Sequence, residues 1–480
     1  MKTPILGSAY VARSVNAADN RMVNLFPEIV PEGGKEPAFL QRAPGLQFQQ
    51  TIGTGPIRGL WAHQTNGADF YVVSGNEFYK LTSLTATPIL LGTVAGTGPV
   101  SIADNGTQLF IAANPYGYIY NEVTNVFAQI TDPDFPGAGT VAYLDGYFVF
   151  NEPNSQRIWV TSLLDGTSVD PLEFASAEGS PDGVVAVFTD HRELWVFGTD
   201  TTEVWYNTAA TDFPLGPIPG AFNELGCAAP YSVAKMDNQI YWLGQDARGR
   251  GMVYKASGYI GQRVSTHSVE WQIQQYADIS DATGYTYQQD GHSFYVLNFP
   301  SANATWVYDA ATGAWHERAG FVNGEFTRHR GNNMCNFLGD IVIGDFENGN
   351  IYTFDLDVYQ DNGQPQKWLR SWRALPTGSN SLKRTAQHSL QLDCETGVGL
   401  NDGQGSNPQV MLRWSSDGGH TWSNEHWTSM GRIGEYGVRA IWRRLGMTLK
   451  IRDRVYEVSG TDPVRVYIMG AELVLSGTLY

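Results

Sequence analysis

Seven hairpin signals, recurring at intervals of about 39 to 53 residues, constrain this chain more than any other feature. The first turns fall at Asn66-Gly67, Asn105-Gly106, Asp145-Gly146, Asp190-His191, Asp237-Asn238, Asp290-Gly291 and Leu338-Gly339. Most are Asn-Gly or Asp-Gly types, which tolerate the positive φ of a type I′ hairpin. Each follows an alternating apolar run and precedes a second run rich in aromatics, as in "GLWAHQTNGADFYVVSGNEFYKL" (59–81) and "VVAVFTDHRELWVFGTDTTEVWYN" (184–207). A four-stranded sheet of this length cannot bury both faces alone. Sheets arranged radially cover one another and leave only short edges. The period matches the four-stranded blade of a β-propeller. A string of sandwich domains is the rival arrangement, and a sevenfold period disfavours it.

The expected fold is therefore all-β: a β-propeller of six or seven blades over residues 56–365, followed by a β-sandwich-like domain over 366–480. Beyond "DVYQDNGQPQKW" (357–368) the strands "HSLQLDCETG", "PQVMLRWSSDGGHTWSNEHWTSM", "VRAIWRRLG", "RVYEVSGTD" and "VRVYIMGAELVL" lose the blade spacing. Residues 1–55 lack it too. They are Pro-rich and extended, with apolar anchors at Leu25, Phe26, Phe39 and Leu40, and they read as a segment that docks on the propeller or on a neighbouring subunit. No good helical stripe interrupts the repeats. Aromatics at 12% and charged residues at only 16% suit large packed sheet faces.

Charge narrows the function classes. The formal net charge of -17 argues against a uniformly basic nucleic-acid-binding surface. The excess is uneven: from Gln366 to Arg454, Lys and Arg outnumber Asp and Glu. Within that stretch "LKR" and "WRRLG" place Lys383, Arg384, Arg443 and Arg444 as candidate partner contacts, with solvated basic residues as the bland alternative. They lack a flanking stacking platform, so protein contact is expected over nucleic-acid readout. Cys227, Cys335 and Cys394 are scattered and odd in number, which fits neither a disulfide framework nor a zinc site. The start shows no apolar signal region, and no run of about 18 apolar residues reads as a membrane span.

The sharpest chemical lead is "SSDGGHTW" (415–422), which fits the Asp-box S-x-D-x-G-x-T-W found in sialidase blades. Ser415, Asp417, Gly419, Thr421 and Trp422 are expected to shape a hairpin turn: the carboxylate accepts N–H groups, and the glycines permit positive φ. Sialoside cleavage needs an arginine clamp, a Tyr–Glu nucleophile and an acid on one propeller mouth. A single box outside the propeller supplies none of these. HExxH, GxSxG and Walker patterns are absent. "GTGPIRG" (53–59) does not join a strand to a helix. Asp355 and Asp357 lack the twelfth-position Glu of a calcium loop. His63, His191 and His316 show no ligand spacing. No catalytic residue, cofactor or metal is expected.

Two stretches carry a resemblance. "RMVNLFPEIVPEGGKEPAFLQRAPGL" (21–46) resembles the R-x-V-N-x-[FY]-P-E … PGL opening of the packaged-DNA stabilisation proteins of short-tailed phages, also called tail accessory factors or tail nozzle and hub proteins. "TWVYDAATGAWHER" (305–318) is similar to a blade ending of the same family, though kelch-like repeats share it. The resemblance covers nearly the whole chain. It implies a structural virion protein of the tail, made in the host cytoplasm and without enzymatic activity. Such proteins form a hexameric ring below the portal and its adaptor ring, extend and close the DNA exit channel, and retain the packaged genome. They also receive the tail needle, fibres or spikes. An acidic channel wall would let passing DNA slide without sequence-specific binding, leaving the basic 366–454 region to meet neighbouring tail proteins. The alternatives are a glycan-binding or sialidase-like propeller and a kelch-type cytoplasmic scaffold.

Overall fold

The computed structural model describes residues 1–14, 17–63, 69–177, 179–381, 383–449 and 452–477. Among the described residues, seven antiparallel sheets form the propeller. The first six are built from consecutive strands between residues 57 and 317. The seventh comprises Gly331–Phe337, Asp340–Asp345 and Asn350–Asp355, and its outer strand, Gly45–Thr51, comes from near the chain start. Pairing runs from Asp355↔Gly45 to Asn350↔Thr51. The last blade is thus sealed by hydrogen bonds to the first propeller strand.

Seven hydrophobic clusters occupy the seven gaps between neighbouring blades. Phe70, Val72, Phe337 and Val342 join the seventh blade to the first. On the opposite side Trp195, Phe197 and Trp242 join the fourth to the fifth, with Phe197 and Trp242 ring centroids 5.4 Å apart. Each strand contributes residues to both faces, so both faces of every sheet are covered. This explains the aromatic richness: rings span an inter-sheet gap of about 10 Å that shorter side chains leave unfilled.

The turns follow the chemistry read from the sequence. Asp145 and Gly146 (φ 48° and 100°), Asp237 and Asn238 (51° and 56°), Asp290 and Gly291 (51° and 80°), and Leu338 and Gly339 (52° and 94°) take the two positive φ values of a type I′ loop. The fourth turn lies one residue later than expected. Asp190 is still paired with Glu193, so the loop residues are His191 and Arg192. Asn66-Gly67 lies outside the described residues. A short α-helix, His267–Gln274, stands between the fifth and sixth blades, where no helix was expected. Eight residues are too few to show a period, but Thr266 caps it by accepting from the Val269 N–H.

The second unit is a sandwich of two sheets. One runs in the order Leu25–Ile29, Ala38–Arg42, Tyr467–Gly477, Thr385–Cys394, Ala440–Arg443. The other contains Met22–Val23, Trp368–Arg373, Val455–Gly460, Gln409–Ser415 and His426–Ser429. Val23 pairs in parallel with Glu317, the outer strand of the sixth blade, so blade and sandwich share one continuous nine-stranded sheet. The sandwich core mixes residues from both ends of the chain: Ile5, Met22, Leu25 and Leu40 pack with Trp368, Trp372, Leu412 and Tyr456. The described residues up to Thr51 are therefore distributed among the sandwich, the junction and the seventh blade.

Candidate functional surfaces

The stretch RMVNLFPE (21–28) builds the junction between the two units. Arg21 grips Glu317 of the sixth blade with two donors, Nε at 3.1 Å and Nη2 at 2.8 Å. Asn24 is fully buried with φ of 52°, a conformation Asn adopts at less cost than most residues. Its amide donates to the carbonyls of Ala319 and Lys367, both at 2.8 Å, and its oxygen accepts the Ala319 N–H at 3.0 Å. One side chain therefore ties the first strand, the sixth blade and the linker together. Phe26 packs edge-on to Phe294 at 5.2 Å. Glu28 bonds to Nε2 of His292, whose Nδ1 meets the fully buried Asp309 at 2.9 Å. Burial works against the His292 cation, but bonds to two carboxylates outweigh it and raise its pKa to about 9. Nearby His316 has no partner for either ring nitrogen among the described residues. Burial, with Arg318 adding to it, pushes its pKa down to about 3.

Buried arginines hold main-chain carbonyls at three further seams. Arg42 donates to the carbonyls of Gln366 (2.6 Å), Asp462 (2.7 Å), Val464 (2.8 Å) and Tyr359 (3.2 Å), closing the linker over the sandwich. Arg370 holds Ile5 and Gly7, fixing the first residues. Arg58 takes four carbonyls between Gly75 and Gly98, fixing the segment that leads from the first blade to the second. Burial lowers the pKa of Arg42 to about 10 and of Arg370 to about 9. The forked guanidinium can satisfy several carbonyls at once, which lysine cannot do. Sequence reading missed this use, because nothing local distinguishes a buried arginine from a surface one.

The Asp-box forms a tight turn on the sandwich, between the strands Gln409–Ser415 and His426–Ser429. Asp417 accepts from the Thr421 hydroxyl (2.6 Å) and N–H (2.9 Å), the Ser415 hydroxyl (2.7 Å) and the His420 N–H (3.1 Å). These bonds hold its carboxyl well below the usual range, with Thr421 the main cause. Gly419 has φ of 101°, and its N–H donates to Ser415 Oγ at 2.8 Å. Trp422 lies under the Arg413 guanidinium at 4.7 Å. All four of these donors belong to Asp417's own loop.

The four basic candidates come together at one end of the five-stranded sheet. Ser389 pairs with Arg443, the Arg444 N–H donates to the His388 carbonyl at 2.7 Å, and Arg384 Nε donates to Thr448 O at 3.0 Å. Arg443 and Arg444 are exposed, and Lys383 is half-buried. Other basic residues of the 366–454 stretch are used internally: Arg370 and Arg454 are buried, and Arg373 pairs with Asp453 at 2.8 Å.

Trp61, Ser101, Thr140, Phe188, Tyr231, Thr283 and Asn333, one residue from each blade or the loop entering it, line a central channel of about 240 Å³. A bore wide enough for a duplex, at least about 12 Å across and ~15 Å tall, would hold on the order of 1,000 Å³ or more. Duplex DNA, whose major groove alone measures about 12 Å, cannot thread it. Among the described residues no group of His, Cys, Asp and Glu could hold a metal ion. No helix there is long and apolar enough to cross a membrane.

Comparison with known proteins supplies the relationship. The family model described as "Bacteriophage P22 Gp10, beta-propeller" matches residues 1–359, and "Bacteriophage P22 Gp10, beta-sandwich" matches 367–476. The chain belongs to the bacteriophage P22 Gp10 family. A curated relative, the tail hub protein gp10 of Salmonella phage P22, is 22% identical over 453 residues, covering 89% of each chain. Membership makes this chain a structural virion protein of the phage tail, a hub component. Solved structures with some likeness include the N-terminal domain of Nup159 (12% identity, 68% of this chain and 98% of that one, TM-score 0.39). The Neurospora crassa Pan2 WD40 domain is another (8%, 62% and 88%, 0.41). At such scores neither likeness carries an argument.

Proposed function

We propose that this hub protein acts as a closed ring of identical copies, six in number, below the portal and its adaptor ring. In this arrangement it extends the DNA exit channel, retains the packaged genome and offers attachment surfaces to needle, fibre or spike proteins. One observation carries the reading: the channel on the propeller's own axis holds only about 240 Å³, too little for a duplex, so a genome can pass only beside the subunits, through a lumen that several copies enclose. Sevenfold closure, the sealed last blade and a sheet shared with the sandwich make each copy a stiff block suited to repetition about an axis. The net charge of -17 gives DNA few cations to exchange for its counterions, so passing duplex would not stick. The protein acts through its surfaces, without catalysis, cofactor or metal.

Particles lacking this chain test the role. Heads should fill and then lose their DNA, and adding purified protein to freshly filled portal-bearing heads should restore retention. Heads that keep their genome without it would overturn the reading. Electron microscopy of the tail decides the copy number.

A further inference from the structure

The five-stranded sandwich sheet has two chemically opposite ends. Its strand Tyr467–Gly477 spans eleven residues, so the ends lie about 33 Å apart. At one end, Arg443 and Arg444 are exposed beside Met447 (42% exposed) and Leu449 (70%). Segments 383–388, 443–449 and 473–477 contain no Asp or Glu. The loop that presents these groups is fixed from beneath: buried Arg454 donates to the carbonyls of Leu445 and Met447, both at 2.8 Å.

At the other end, where the sandwich meets the sixth blade, lies an open groove of about 570 Å³. Its floor includes Ile29, Phe39, Tyr467 and Met469, and its rim carries Glu28, Asp290 and Glu395. Phe39 and Tyr467 stack edge-to-face at 5.5 Å, so the floor is preformed. Ile29 is 56% exposed. One rim carboxylate, Glu395, is paired with Arg465 at 2.7 Å, and Glu28 with His292, while Asp290 sits exposed on a hairpin tip.

We propose that the basic, apolar end of this sheet in one copy docks into the acid-rimmed apolar groove of the next copy. The occupant is a second copy because the same molecule displays both halves, matched in apolar character and, through the exposed Asp290, in charge sign. Arginines around exposed aliphatic side chains fit a desolvated apolar contact with a charged rim. The two surfaces differ, so the contact is head-to-tail, and it closes into a ring when the rotation between copies divides the circle. The inference rests on the ring proposed above and assigns its interface.

The test uses whole tails. Phage are made with Ile29→Cys and Leu449→Cys in the same chain, and purified particles are treated with a flexible bis-maleimide. A denaturing gel should show a ladder at multiples of the 52.9 kDa chain. Phage carrying either substitution alone should give the monomer band apart from the background that wild-type particles show through Cys227, Cys335 and Cys394. Particles that contain the double variant yet yield only monomer overturn the interface and leave the tail role intact. Particles that retain DNA without containing the chain overturn the tail role instead. Arg443→Glu with Arg444→Glu provides an independent arm. Both residues are exposed, so the purified variant should keep the wild-type melting temperature while its incorporation into tails falls at least about tenfold. Normal incorporation of that variant would also overturn the assignment.

Discussion

Replacing Arg42 with methionine tests whether the buried guanidinium holds the linker to the sandwich. The side chain is 2% exposed and faces four main-chain carbonyls at 2.6–3.2 Å, with no carboxylate bonded to it. Two effects oppose each other. Removing a desolvated cation is favourable, since burying it without a counter-charge is costly. Losing it strips the guanidinium from four carbonyls, of which, among the described residues, only that of Asp462 keeps a second donor, the Val464 N–H at 2.8 Å, and each acceptor left unmatched costs about 1 kcal/mol or more. Water cannot readily replace the donors, because Met fills most of the vacated volume and brings none. The second effect wins, and we expect a net loss of about 3–5 kcal/mol. The sandwich with its N-terminal strands is a unit of about 150 residues, for which each kcal/mol moves the midpoint by about 2–4 °C. The sandwich transition in calorimetry should therefore fall by roughly 6–20 °C, with a smaller change in the propeller transition. Hydrogen exchange should rise first in strands Ala38–Arg42 and Val455–Gly460. Arg42→Lys should recover only part of the loss, since an ammonium cannot span the same fork of acceptors. A shift below about 1 °C would show that the carbonyls find other partners and that the clamp is incidental.

Four further outcomes follow from the same structure. Asn24→Ala should cost about 2–4 kcal/mol in urea unfolding, and Asn24→Gly somewhat less, because glycine accepts the positive φ while losing the same three hydrogen bonds. Leu46→Ala, at the seal of the seventh blade, should cost about 2–4 kcal/mol and speed exchange in Asn350–Asp355 ahead of the other blades. Asp417→Ala should loosen only its own turn, speeding exchange at Gly419, His420 and Thr421 at least about tenfold while leaving DNA retention unchanged. Urea midpoints should depend on pH in two ways. His292 has a raised folded pKa, so its contribution is complete below about 6.5 and is lost as pH climbs through about 9. His316 is depressed to about 3, so the unfolded chain binds a proton first and stability falls as pH drops from about 6.5 toward 3. His292→Gln should remove the alkaline limb and leave the acidic one; an unchanged alkaline limb would refute the bridge.

The blades were legible because their cause is local. A turn such as Asp145-Gly146 needs residues that accept positive φ, and alternating runs need neighbours on both faces, so period and composition alone lead to a propeller. The Asp-box was legible for the same reason, since its bonds span seven residues. Resemblance to the phage family also came from local strings, although the strings gave no reason for their own residues. That reason is tertiary. Asn24 matters because three chain segments meet at its amide, and Arg42 because four carbonyls distant in sequence converge on it. Gly45–Thr51 falls within the extended docking segment that the sequence suggests for 1–55, yet it completes a blade whose other strands begin almost three hundred residues later. Long-range pairing leaves no period in a sequence, because its partners are chosen by the closure of the ring and not by neighbours along the chain. The opposed ends of the sandwich sheet have the same origin. The sequence by itself determined that basic residues gather after residue 366. Only the folded sheet decided that some are consumed as internal clamps while Arg443 and Arg444 stay exposed, one strand's length from an acidic groove.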